Sequence, residues 1–236
     1  MIDIKNLTKS YGDFTALSNL NLHIDKGSIF GLVGINGSGK TTLIKHLIGG
    51  LVPDEGECFI DGQNVKDNVE IKQRMAYIPD ELFFFSNYSL GQMGKYYGNL
   101  YKNWNKEKFE SMVSDFGLKM NGKIVKFSKG MQKQAAFILA ICTTPDVLIL
   151  DEPIDGLDPI MRKKVWGYLL KDVADREMTV MISSHNLREL EGICDSIGIL
   201  KNGQIGFCGK LDELSEDADL TLEEIFFEKL GGEENA

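Results

Sequence analysis

The sequence predicts an α/β fold: a parallel sheet, an antiparallel β subdomain on its N-terminal side, and an inserted α-helical lobe. Three observations carry this. Short apolar runs that end in Gly34 or in Asp151-Glu152 read as strands buried on both faces. The opening residues alternate apolar and polar (Ile2, Ile4, then Leu20, Leu22, Ile24), the pattern of half-buried antiparallel strands. From residue 82 to about 144 the strand patterns stop, aromatic residues cluster, and apolar residues recur at helical spacing. With 236 residues, 43% of them apolar, the chain can bury a sizeable core. It reads as a single domain over 1–236 with the lobe at about 82–144.

In chain order, the first two strands turn at Gly12-Asp13 and leave Tyr11 at a strand end, where its ring can stack on a purine. The strand containing Ile29, Phe30, Leu32 and Val33 runs into Gly34-Ile35-Asn36-Gly37-Ser38-Gly39-Lys40-Thr41-Thr42, followed by a helix over 41–48. The segment fits G-x-x-x-x-G-K-[ST], and the strand, loop and helix order is the context that motif needs, so the core is that of a P-loop NTPase. Gly34, Gly37 and Gly39 permit positive φ, which turns backbone N–H groups inward onto phosphate oxygens beside the positive end of the helix. Lys40 then supplies charge to the β and γ phosphates, Thr41 a hydroxyl ligand to the bridging Mg²⁺, and Thr42 a hydrogen bond to phosphate.

Gly49-Gly50 and Pro53 end that helix. A short strand over 57–62 with an Asp-Gly turn follows, then helical spacing over 69–74 and a strand at 75–78. That strand closes on Pro79-Asp80-Glu81, a loop emerging beside the phosphates. Within the lobe, Phe109, Met112, Val113 and Phe116 mark one helix, and Phe137, Ile138 and Ile141 another. Phe83-Phe84-Phe85 reads either as lobe core or as a patch that docks a partner. Ser128-Lys129-Gly130 on its own reads as a helix N-cap.

Open parallel sheets place ligands at the carboxyl ends of their strands, which is where Asp151 and Glu152 fall. Asp151 can reach Mg²⁺ through its water shell, and Glu152, next to the γ phosphate, is suited to polarising an attacking water. A helix over 161–175 carries Val165, Trp166, Leu169 and Leu170 on one face. The strand 179–182 then ends at Ser183-Ser184-His185, so His185 can bond the γ phosphate or orient the water. An amphipathic helix over 187–194, two strands around Asn202-Gly203, an acidic helix over 222–230 and a Glu-rich tail complete the chain.

Composition narrows the partners. Lys and Arg total 26 against 35 Asp and Glu, a net charge of −9, which argues against nucleic acid as a partner. The opening MIDIKNLTKSYG lacks the pattern of a signal peptide, and no apolar run approaches about 18 residues, so the expected location is cytosolic. Cys58, Cys142, Cys194 and Cys208 are scattered without metal-ligand spacing and read as reduced thiols.

Taken together, Tyr11, the loop 34–42, Pro79-Asp80, Phe127-Ser128-Lys129-Gly130-Met131-Gln132, Leu150-Asp151-Glu152-Pro153, Gly156-Leu157-Asp158 and His185 resemble the ATP-binding subunit of ABC transporters. The likeness covers nearly the whole chain, and Ser128-Lys129-Gly130-Met131 looks like the ABC-2-type exporter ATPases. The resemblance implies ATP and Mg²⁺ as ligands, with Asp80 joining Thr41 and Asp151 at the metal and Glu152 and His185 catalytic. It implies two subunits, identical or paralogous, that sandwich two ATP molecules head to tail. Ser128, Lys129 and Gly130 then meet the nucleotide of the other subunit in trans, and Asp158 lies in the loop that crosses the interface. A separate transmembrane permease subunit is implied as well, holding the chain on the cytoplasmic face of the cell membrane, with a drug or antibiotic peptide exported. A groove near Asp80 and Phe83-Phe84-Phe85 would accept a cytoplasmic helix of that permease. The rival is a soluble ABC-type ATPase of an assembly machine, but the tandem domains and long coiled coil of such relatives are missing from the sequence.

Two departures from the family pattern stand out. Phe127, Lys129 and Met131 replace the first, third and fifth residues of L-S-G-G-Q. Asp80 stands where many members carry Gln, bringing a negative charge and losing a hydrogen-bond donor.

Overall fold

The computed structural model describes residues 1–153 and 156–211, so the expected helix over 222–230 and the tail lie outside the described residues. The elements begin β1 (Ile2–Tyr11), β2 (Phe14–Ile24), β3 (Ile29–Val33), α1 (Lys40–Leu47), β4 (Glu55–Ile60), β5 (Gln63–Asn64), α2 (Val69–Gln73) and β6 (Met75–Ile78). Three helices follow, α3 (Leu90–Leu100), α4 (Lys106–Asp115) and α5 (Lys129–Ile141). The chain returns to the sheet with β7 (Val147–Asp151), α6 (Pro159–Arg176), β8 (Thr179–Ser184), α7 (Arg188–Glu191), β9 (Ser196–Lys201) and β10 (Gln204–Lys210).

The N-terminal sheet is antiparallel, in the order β2-β1-β4-β5. Its hairpin at Asp61 and Gly62 has φ of 49° and 73°, the pair of positive values that an Asp-Gly turn supplies. The second sheet runs β10-β9-β3-β8-β7-β6, parallel except for the edge strand β10.

Alternation along the parallel strands explains why they look uniformly apolar. Ile29, Val33, Leu148, Leu150, Val180 and Ile182 join one buried cluster with α3 to α6. Phe30, Leu32, Val147, Ile149 and Met181 face the other way, against Leu43, Ile44 and Leu47 of α1 and the apolar side of the antiparallel sheet. Both faces are dry, so apolar residues fill both register positions through the middle of the strands, and buried polar side chains such as Thr179, Ser183 and Asp151 fall at the strand ends. Each Leu or Ile buried this way contributes about 1.5–3 kcal/mol.

Helix starts are capped where the chain has suitable side chains. Ser89 and Gln92 form a reciprocal capping box on α3, Asn105 caps α4, and Asp158 caps α6 ahead of Pro159. The lobe helices are tied back to the sheet in two ways. The second half of α5 sits in the same buried cluster as β7. Lys108 on α4 donates to Asp172 on α6 at 2.6 and 2.7 Å, and Arg176 donates to the same carboxylate at 2.8 Å.

Two expectations are corrected. Leu170 does not share the buried face of α6 with Val165 and Leu169; it is 46% exposed. An 18-residue helix drifts past the narrow seam that four apolar residues suggest, and Asp172, paired with Lys108 and Arg176, takes the inward place instead. The helix expected over 187–194 is only Arg188–Glu191. Leu187, Leu190, Ile193 and Cys194 are buried all the same, but Gly192 interrupts the helical course. Among the described residues no helix is long and apolar enough to cross a membrane.

Candidate functional site

Because β3, β6, β7 and β8 run parallel, their carboxyl ends share one sheet edge. That edge carries the loop 34–42, Asp80, Asp151 with Glu152, and His185, residues scattered over 152 positions of sequence.

The loop is shaped by contacts as much as by dihedrals. A Cβ on Gly34 would stand 2.5 Å from Ser38 Oγ and 2.6 Å from the Leu200 carbonyl oxygen. One on Gly39 would meet the Ala16 carbonyl oxygen at 2.7 Å, and Gly39 also has φ of 112°. Only glycine satisfies both demands. Directly after Gly39, α1 begins with no side-chain cap. The first N–H groups of a helix have no intrahelical acceptor, so Lys40, Thr41 and Thr42 present donors and a positive dipole end to the cleft. Such an uncapped start fits a phosphate group. Ile35 is exposed and its carbonyl accepts from Ser38 N at 3.1 Å, while Ser38 Oγ is buried with no hydrogen-bond partner among the described residues.

Lys40 is buried and curls back on its own loop, donating to Gly34 O at 2.6 Å and to Ile35 O at 3.3 Å, with Glu152 Oε1 4.0 Å away. Burial pulls its pKa down, and the Glu152 and Asp151 carboxylates pull it back up. An ammonium held mainly by neutral carbonyls is a charge suited to an incoming anion.

Thr41 Oγ1 lies 3.4 Å from Asp151 Oδ2, and the other oxygen of Asp151 accepts a short hydrogen bond from Ser183 Oγ. Asp80 lines the same cleft. One hydroxyl and two carboxylates are hard oxygen donors of the kind Mg²⁺ uses while it keeps several waters, so the residues present fit that ion. The phenol of Tyr77 beneath them is pushed up to about 12, first by burial and then by the charges of Asp151 and Asp80.

Glu152 has an unusual backbone, with φ of 47°. Its N–H donates to Ser183 O at 3.2 Å, and its carbonyl accepts from Lys133 Nζ at 2.8 Å. Glu152 Oε2 is 3.0 Å from His185 Nδ1, a contact that can orient the carboxylate. Positive φ in a residue with a side chain is costly, by about 1–3 kcal/mol, and persists where its surroundings overdetermine it.

The cleft itself holds about 320 Å³ and runs from Tyr11 and Phe14, past Asn36, Lys40 and Thr41, to Asp80 and Glu152. Tyr11 and Phe14 are paired across the β1-β2 turn and are both exposed. Phe14, Ser183 and Lys133 did not stand out in the sequence. Phe14 was findable as the residue opposite Tyr11 across the Gly12-Asp13 turn; Lys133 and Ser183 carry no local signal.

Ser128, Lys129, Gly130 and Asp158 do not line this cleft. Ser128 Oγ accepts from Met131 N at 3.2 Å and caps α5, which starts at Lys129. Asp158 Oδ1 accepts from Ile160 N and Met161 N, both at 3.0 Å. A Cβ on Gly130 would lie 3.2 Å from Gly156 O, so the start of α5 packs closely on the loop leading to Asp158. Ser128, Lys129 and Asp158 are exposed.

A family model described as ABC transporter matches residues 17–155, more than half of the chain. The ABC transporter ATP-binding protein YtrB of Bacillus subtilis strain 168 is 31% identical over 217 residues, covering 92% of this chain and 74% of that protein. The bacitracin transport ATP-binding protein BcrA of Enterococcus faecalis is 35% identical over 208 residues, covering 87% and 68%. A solved structure described as the ATP binding subunit of an ABC transporter superposes with a TM-score of 0.89 at 28% identity, covering 97% of this chain and 99% of its own. By the span matched and these identities, the chain belongs to the ABC transporter family and is one of its ATP-binding, ATP-hydrolysing subunits.

Proposed function

We propose that two subunits of this kind close head to tail around two ATP molecules and so drive a separate membrane-spanning exporter. The observation that supports this is the division of the site. The loop 34–42 forms a phosphate cradle within one cleft, whereas the start of α5, with Ser128 and Lys129 exposed and Gly130 half-buried, stands outside it. A second subunit would bring that helix start to the γ phosphate, with Asp158 beside the crossing. Lys129 adds a cation at the positive end of a helix, a placement that opposes the dipole unless an anion arrives.

Within the cleft, Tyr11 and Phe14 hold the purine by stacking, and Lys40 with the N–H groups of the loop holds the phosphates. Thr41, Asp151 and Asp80 would hold Mg²⁺, which would offset the negative charge of the phosphate oxygens. Glu152 orients the attacking water and accepts its proton as the new bond to the γ phosphorus forms and the bond to the β–γ bridging oxygen breaks. His185 keeps the Glu152 carboxylate pointed at that water.

Export of a drug or peptide is supported by BcrA, which is a bacitracin transport protein, and by the 31% identical probable multidrug ABC transporter ATP-binding protein YbhF of Escherichia coli, of whose length the chain covers 41%. Phe83, Phe85, Tyr88 and Tyr96 expose aromatic surface beside the Asp80 loop, as a surface for a permease helix would. The deciding experiment is affinity capture from detergent-solubilised membranes of the native cell. A stoichiometric multi-span membrane protein in the eluate is the expected result; recovery with soluble proteins alone would overturn the proposal.

A further inference from the structure

Lys133 sits on the second turn of α5, facing inward, with a side chain only 14% exposed. Among the described residues its ammonium has two neighbours. It donates to the Glu152 main-chain carbonyl at 2.8 Å, and it lies 3.7 Å from Asp80 Oδ1. The first distance is a good hydrogen bond; the second is an ion pair without one. An ammonium this buried is costly without partners, so the Glu152 carbonyl is the anchor and the more exposed Asp80 an adjustable counter-charge.

The anchor is at an informative place. Glu152 has φ of 47°, so its carbonyl points where an ordinary strand residue's would not. Its N–H is held by Ser183 O, and its carboxylate meets His185. Lys133 holds the carbonyl. The same Lys133 lines a groove of about 530 Å³ together with Asp80, Leu82, Gln132 and Gly156. One side chain therefore touches the backbone of the catalytic carboxylate and also borders the groove beside the exposed aromatics.

We propose that Lys133 is a positioning residue for ATP hydrolysis, clamping the Glu152 backbone and linking its placement to the Asp80 loop and the groove. The proposal rests on Glu152 being the carboxylate that orients water. A displacement of about 1 Å in such a group can cost on the order of 100-fold in rate without affecting how substrate is held. Lys133 also offsets the charge of Asp80, one of three carboxylates lining or facing the nucleotide cleft.

The test uses the purified full chain, Mg²⁺-ATP turnover over a range of ATP, binding of a fluorescent ATP analogue, and thermal melting. Lys133→Met keeps the aliphatic stem and removes the donor. Its expected kcat is about 10- to 100-fold below wild type, with KM, analogue affinity and melting temperature little changed. Lys133→Arg, which can still donate to a carbonyl, should recover most of the turnover. Asp80→Asn should lower kcat less, and the double variant should lose less than the product of the two single losses. Unchanged kcat in Lys133→Met overturns the proposal. So does a fall in kcat accompanied by equal loss of analogue binding or of melting temperature, or an Arg variant as slow as Met. Multiplicative losses remove Asp80 from the arrangement. Glu152→Gln run in parallel separates the premises: normal turnover there sinks the role of Glu152 itself, whatever Lys133 does.

Discussion

The two helices that frame ATP chemistry in this chain begin in opposite ways. α1 starts after a glycine with φ of 112°, with no side-chain cap and a buried lysine folded over it. α5 starts with Ser128 accepting from Met131 N, exposed, and outside the nucleotide cleft. The first leaves its donors open and is completed by a ligand. The second satisfies one donor itself and still offers the rest outward. In the proposed dimer, the capped start would meet a partner's phosphate without rearranging, and the uncapped start would gain its missing acceptor from ATP.

The most damaging way to probe this contrast removes chemistry and leaves both helix starts intact. Glu152→Gln should lower steady-state turnover by about 10²–10⁴-fold, retain ATP binding at α1, and accumulate an ATP-dependent dimer visible by light scattering. A variant that hydrolyses normally would displace Glu152 from the mechanism. Next, Lys40→Ala should weaken ATP affinity by about 10- to 100-fold, the loss of one charge-assisted hydrogen-bonding group, measured by equilibrium titration. Binding as tight as wild type would mean that α1 does not supply the cradle.

Ser128→Ala acts on the other helix. Loss of the cap costs about 1 kcal/mol, equivalent to about 2–4 °C in melting temperature. ATP binding by the isolated subunit should be unaffected while ATP-driven dimerisation falls. If this variant weakened monomer binding as Lys40→Ala does, the division between the two helix starts would collapse.

The smallest effect concerns the far end of α1. His46 is buried, its Nδ1 lies 2.8 Å from Thr42 O, and burial lowers its pKa from the ordinary value of 6.5. The folded state therefore holds a neutral imidazole where the unfolded chain takes up a proton. Stability should fall as pH drops below about 6.5 and level off once the folded-state pKa is passed. Melting curves between pH 7.5 and 5.5 should show a slightly steeper decline for wild type than for His46→Gln. Parallel curves would rule His46 out as the source.

The sequence made local patterns readable and distant pairings unreadable. The loop 34–42, the strand ending in Asp151-Glu152 and the Asp61-Gly62 hairpin are each set by residues close together, where glycine, apolar runs and paired carboxylates leave few alternatives. His185 beside Glu152 was foreseen only as a second strand end on the same edge. Lys133 was invisible, because its contacts reach 19 residues forward to Glu152 and 53 back to Asp80 and depend on how α5 is rotated against β7. Leu170 points outward because spacing gives a period and packing chooses which side of it is buried, whereas α7 is short because Gly192 ends the helix while its apolar residues stay buried.

Helix α5 is mounted by one end. Its last five residues are fully embedded, Lys129 at its start is in solvent, and thirteen residues of helix make a rod about 20 Å long. Pivoting such a lever by about 10° around its buried end swings Ser128 through roughly 3 Å, the difference between a hydrogen bond and none. Lys133, nearer the fulcrum, would move through a smaller arc. A small tilt imposed at the exposed tip would thus be read as a large change at the neighbouring nucleotide and a fine adjustment at this subunit's own carboxylate.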